Sequence, residues 1–178
     1  MLPDFFTFLR ILSGFFILYL SIFNINNFYL YFYTILFGWT TDILDGYLAR
    51  LLNIEGKLGK YDFQIDLFFE WSFFFYLFRI NYINEKIFII YNVIFFLILF
   101  FYYNKTLLMT IQAPVTFSPF IIAILYYKDL RIIILFWILI NLLLFYKRFI
   151  KVVKEYIEGI PSHNLNKNEN YYRHKTKK

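Results

Sequence analysis

Five acidic side chains interrupt an otherwise apolar part of the chain: Asp42, Asp45, Asp62, Asp66 and Glu70, all within 29 residues. A charge at the bilayer centre costs about 2.5–3.5 kcal/mol on insertion scales, so acids kept there have a task. At helical spacing Asp42 and Asp45 (i, i+3) share one face, and Asp62, Asp66 and Glu70 (i, i+4, i+8) share another. Carboxylates that converge repel one another and stay protonated unless cations sit between them. Oxygen-only clusters suit hard divalent ions such as Mg²⁺, Mn²⁺ or Ca²⁺, and Mg²⁺ meets its substrate through phosphate oxygens. The residues therefore suggest a dimetal phosphate site at a membrane interface.

The neighbours sharpen that expectation. Gly46 and Ala49 remove bulk beside the carboxylates, so a ligand can approach the backbone closely. Arg50 supplies a planar fork for phosphate oxygens, and Gly59 lets the chain turn into the next helix. A proton or cation pathway in a transporter is the rival explanation of buried acids. It gives no reason for Gly46, Ala49, Arg50 and Gly59 at these spacings.

The elements that carry these residues are membrane spans. Of 178 residues, 61% are hydrophobic, 26% aromatic and 17% charged, and the mean hydropathy is +0.57. A soluble domain is about 45–50% apolar and about 25% charged, so a water-soluble enzyme, a disordered chain and a disulfide scaffold are excluded. There is no cysteine, hence no thiolate metal site and no cysteine nucleophile. Six apolar stretches, roughly Phe5–Phe23, Phe28–Leu44, Asp62–Ile80, Ile87–Tyr103, Leu107–Tyr126 and Leu130–Tyr146, predict an all-α polytopic protein of six transmembrane helices. Residues 1–146 would form the transmembrane catalytic domain. Residues 147–178 would form a basic cytoplasmic tail, a juxtamembrane helix followed by a disordered, solvated end.

With six spans, 14 of the 18 Lys and Arg residues fall on one side and four on the other. The positive-inside rule places both termini and the acids on the cytoplasmic side. A cleaved signal peptide is not expected, because the first apolar run lacks a basic leader and a small-residue cleavage site. Arg10 reads as a lipid-headgroup anchor ahead of a member of the site, and Pro114 and Pro119 as kinks in the fifth helix. Glu70 reads as either a second-shell acid or a helix–helix contact. His163 and His174, in the polar tail, are not expected to bind metal.

Written out, the stretch is Asp42-x2-Asp45-Gly46-x2-Ala49-Arg50-x8-Gly59-x2-Asp62-x3-Asp66. It resembles the signature of the CDP-alcohol phosphatidyltransferase family, D-x2-D-G-x2-A-R-x8-G-x3-D-x3-D, with all eight fixed residue types in order. The start of the chain, with Pro3, Thr7 and Arg10, also resembles that family's P-N-x-x-T-x-x-R. Three positions depart: the Gly59–Asp62 step is one residue short, Asp4 replaces the usual Asn, and Gly56 stands where many relatives carry Ser or Thr.

The resemblance implies that an acceptor alcohol attacks the phosphate of a CDP-linked donor, most simply CDP-diacylglycerol, and that CMP leaves. Carried over, Asp42, Asp45, Asp62 and Asp66 would hold two Mg²⁺ or Mn²⁺ ions, and Asp66 would also be the general base. Gly46, Ala49, Arg50 and Gly59 would contact the nucleotide and its phosphates. Glu70, Lys105 and Thr7 are candidates for the acceptor side or for support of the ligands. The implied partners are a lipid donor, a small alcohol, membrane lipids and a second copy of the chain; no nucleic acid is expected. A degenerate relative acting as a lipid-binding scaffold is the alternative within the family.

Overall fold

The computed structural model describes residues 2–23, 25–52, 56–102 and 104–159. Six helices follow in order: α1 Leu2–Ile22, α2 Phe28–Leu52, α3 Asp62–Arg79, α4 Glu85–Phe101, α5 Lys105–Tyr126 and α6 Lys128–Gly159. A single 3-10 turn, Gly59–Tyr61, leads into α3, and no strand occurs among the described residues. The polar segment beyond Gly159, read above as a disordered tail, lies outside the described residues.

Local chemistry explains the helix ends. Asn84 and Asn104 cap α4 and α5, their side chains accepting from the backbone N–H of Lys86 and Leu107, as capping amides do. Asn81, at φ 64°, takes the left-handed conformation that closes α3, a position asparagine tolerates better than most residues. α5 runs uninterrupted through Pro114 and Pro119. The break instead falls in α6 at Phe145 (φ −128°, ψ 23°).

α1 packs along both α2 and α3, α5 lies against α3 and α6, and α4 touches α3 and α5. The core between the first three helices is aromatic: Tyr31 stacks on Tyr76 with centroids 4.1 Å apart, beside Phe32, Phe69 and Phe73. α2 and α3 meet where the Phe69 ring lies against Gly38, since a Cβ there would collide with the ring.

Among the described residues, three segments are long and apolar enough to cross a membrane by length and composition: Pro3–Ile22, Lys105–Tyr126 and Lys128–Tyr146. α2 and α3 are diluted by tyrosines and by the acids themselves. α4 has 17 residues, about 26 Å of helix against a hydrocarbon core of about 30 Å. α2 also continues two turns past Leu44, so Gly46, Ala49 and Arg50 are helical residues and not part of the loop.

Candidate metal centre

One end of the α1–α2–α3 unit gathers the acids. Asp42 and Asp45 project from α2, and Asp62 and Asp66 from the first two turns of α3. Asp42, Asp62 and Asp66 each offer an oxygen, all within 4.8 Å of one another. Asp45 stands apart from that close trio. It is buried, and its Oδ2 accepts from Thr7 Oγ1 (3.0 Å) and Arg10 Nη2 (2.5 Å).

Arg10 corrects the headgroup-anchor reading. It is fully buried (0% exposed), and its guanidinium reaches all four aspartates. Nη1 lies 3.1 Å from Asp42 Oδ1 and forms a short contact with Asp66 Oδ1. Nη2 lies 2.5 Å from Asp45 Oδ2 and 2.9 Å from Asp62 Oδ1. The physical reason is charge: four carboxylates at one spot need a counter-charge more than a headgroup does. The signal in the sequence was Thr7 and Arg10 at i, i+3, one turn apart on a single face of α1.

A second fastening sits beside it. The Asp4 carboxylate accepts from the Leu58 N–H at 2.8 Å, tying the start of α1 to the chain leading into α3. A Cβ on Gly56 would lie 2.6 Å from Asp4 Oδ1, so the carboxylate occupies the space a side chain at 56 would need. Nothing crowds Gly59, whose added Cβ would meet no atom within 4 Å.

Gly46 and Arg50 follow Asp42 at i+4 and i+8, on one stripe of α2. Arg50, exposed in the last turn, thus stands about 12 Å along the axis from Asp42. Ala49 is half-buried one turn beyond Asp45. Glu70 lies one turn deeper than Asp66 and shares a cavity wall with Gln112 and Thr116. Gln112 is itself fixed by Tyr91 Oη (2.7 Å) and by donating to the Leu67 carbonyl. Lys105 is not among the carboxylates: its exposed Nζ sits 5.4 Å from the centroid of Phe63.

Three cavities meet these residues. One of about 230 Å³ is walled by Trp39, Asp42, Ile43, Asp66, Glu70 and Trp137. A second, about 410 Å³, passes between α3 and α5 with Phe63, Asp66, Glu70, Gln112 and Thr116 on its wall. The third, about 750 Å³, is almost wholly apolar, running from Asp42 between α2, α5 and α6 to Phe145.

The residues suit a hard divalent ion. Every donor is a carboxylate oxygen, three of them close enough to share one ion, and an all-oxygen donor set is the chemistry that Mg²⁺ and Mn²⁺ take.

A model of the family described as CDP-alcohol phosphatidyltransferase matches residues 1–153. The chain belongs to the CDP-alcohol phosphatidyltransferase family. No curated protein and no solved structure matches it. Membership makes the chain a polytopic, integral membrane protein and a transferase of phospholipid synthesis, acting on a CDP-alcohol donor and an alcohol acceptor. Family members use divalent metal ions, and the trio Asp42, Asp62 and Asp66 is where this chain could hold one.

Proposed function

We infer that this phosphatidyltransferase moves a phosphatidyl group from CDP-diacylglycerol to a small alcohol. The carrying observation is the apolar cavity of about 750 Å³ that begins at Asp42, one of the candidate metal ligands. A lipid whose phosphates rest on the carboxylate end would have its acyl chain covered by Phe117, Phe120, Ile121 and Ile138. Burying such a chain is worth about 0.8 kcal/mol per methylene.

In this reading Asp42, Asp45, Asp62 and Asp66 hold two Mg²⁺ or Mn²⁺ ions. When bound, such ions spread the charge that develops on the transferred phosphate and on departing CMP. Gly46 and Ala49 leave room for the nucleotide beside α2. Arg50, about 12 Å along the stripe, takes phosphate oxygens in its fork, and Gly59 leaves the pocket mouth open.

The alcohol enters through the cavity of about 410 Å³ that Asp66 and Glu70 share. Its oxygen forms the new bond to phosphorus, the bond from phosphorus to the CMP oxygen breaks, and Asp66 accepts the hydroxyl proton. A carboxylate is a weak base, so positioning carries much of the effect. Glu70, beside Thr116 and Gln112 on that wall, orients the acceptor. Lys105 stands at the rim on Phe63, and Thr7 holds Asp45 from behind.

Both termini and the site face the cytoplasm in this reading. Asp4, Leu58 and the acids share one end of the bundle, and the positively charged residues Arg50, Lys57 and Lys60 flank that end.

The test is CMP release from CDP-diacylglycerol with Mg²⁺ and labelled acceptors: glycerol 3-phosphate, inositol phosphate and serine. CMP release that requires one of these acceptors is the expected result. Release with none of them overturns the reading.

A further inference from the structure

The geometry points to Arg10 as the positioning residue of the carboxylate cluster. Its two terminal nitrogens hold one oxygen of each of four aspartates, so that the other oxygen of each is turned toward a divalent ion. The inference rests on reading those aspartates as metal ligands.

The oxygens taken are Asp42 Oδ1, Asp45 Oδ2, Asp62 Oδ1 and Asp66 Oδ1, two on each guanidinium nitrogen. The guanidinium has no exposure to solvent, and its Nε, buried and without a hydrogen bond, has no other partner to draw it away. Thr7, one turn earlier on α1, bonds the same Asp45 oxygen that Arg10 holds. α1 thus reaches α2 and α3 through one side chain, behind the acids.

The fork matters as well as the charge. A guanidinium offers five donors in a fixed plane, whereas an ammonium is a point charge with three, and four carboxylates from two helices need the wider reach. Partners of this kind, which orient metal ligands from behind, are worth about 10–100-fold in metal affinity. The competing idea is a placeholder: a guanidinium that occupies the ion's seat and leaves when the ion arrives. Removing a positive charge from a site that binds cations should then tighten metal binding. The two ideas predict opposite signs.

The experiment is Mn²⁺ binding to the full-length chain in lipid nanodiscs, followed by electron paramagnetic resonance, with thermal melting in EDTA and in Mg²⁺. Arg10→Gln should weaken Mn²⁺ binding about 10–100-fold and melt lower than the parent in EDTA. Arg10→Lys, which keeps the charge and loses the fork, should also bind Mn²⁺ more weakly; Thr7→Val should have a smaller effect than either. Unchanged or tighter binding by Arg10→Gln overturns the inference in favour of the placeholder. Binding by Arg10→Lys equal to the parent's overturns the role of the fork, and this variant decides the matter if Arg10→Gln does not fold. If the parent chain binds no Mn²⁺, the metal-ligand reading falls and this inference with it.

Discussion

Asp66 sits where two roles meet, on the wall of the two smaller cavities and within the ion-pair set of Arg10. Asp66→Asn keeps the shape and removes the base, and should lower kcat about 10²–10⁴-fold while the chain still extracts and elutes as the parent does. Full CMP release by that variant would remove Asp66 from the chemistry. Gly56 makes a different prediction. An alanine there brings its Cβ to 2.6 Å from Asp4 Oδ1, and overpacking of this kind costs about 1–3 kcal/mol. Gly56→Ala should lower the melting temperature in the parent, and should lower it less when Asp4→Gly has already removed the carboxylate. If Gly56→Ala costs as much in the Asp4→Gly background as in the parent, the Asp4–Gly56 contact is not the cause. The spacing of the acids shows plainly in the sequence because helical periodicity converts i, i+3 and i, i+4 into shared faces. Arg10 does not show in the same way. A lone arginine in the third turn of an apolar run looks the same from the sequence whether it faces a headgroup or four carboxylates 32 to 56 residues later.

At the scale of the helices, α2 and α3 meet at a side-chain crossing, the Phe69 ring seated on Gly38, between the two acid pairs and the far end of the bundle. Gly38→Ala should push the helices apart, costing about 1–3 kcal/mol by overpacking and reducing activity more than Ala substitution at lipid-facing Phe37. Equal effects at 37 and 38 would show that the crossing does not control the site. The apolar cavity between α2, α5 and α6 makes its own prediction. Ile138→Trp fills part of it and should raise KM for a long-chain donor several-fold, leaving a short-chain donor unaffected. The same rise with both donors would mean that the chain lies elsewhere. Helix number was readable from apolar runs separated by polar turns. The helix ends were less so: α2 runs on to Leu52 because Leu48, Ala49, Arg50 and Leu51 are good helix formers that outweigh Gly46, and hydropathy marks where apolar character stops, not where the helix does. The break in α6 falls at Phe145, beside Tyr47 of α2 (5.5 Å between rings), and packing of that kind leaves no mark on the local sequence.

For the whole molecule, the absence of cysteine makes topology simple to measure. A single cysteine at exposed Lys60, in the turn before α3, and another at exposed Lys86, at the start of α4, lie at opposite ends of the α3 hairpin. With an impermeant maleimide on intact cells, Lys86→Cys should label, and Lys60→Cys only after the membrane is opened. The reverse pattern would invert the orientation that positive charge implies. Aromatic and aliphatic side chains together cover the exposed helix faces, and their abundance announced a membrane protein at once. The ordering of helices around the site depends on contacts between residues far apart in the chain, such as Trp137 Nε1 donating to Thr40 Oγ1 across 97 positions, and periodicity carries no information about these.

The burial of Arg10 also bears on how the chain assembles. α1 is made before α2 and α3, and on emerging into lipid it carries a cation whose four partners are still to be synthesised. That helix can settle to its final depth only when the acid-bearing hairpin arrives, so the first three helices must lock as a trio instead of one after another.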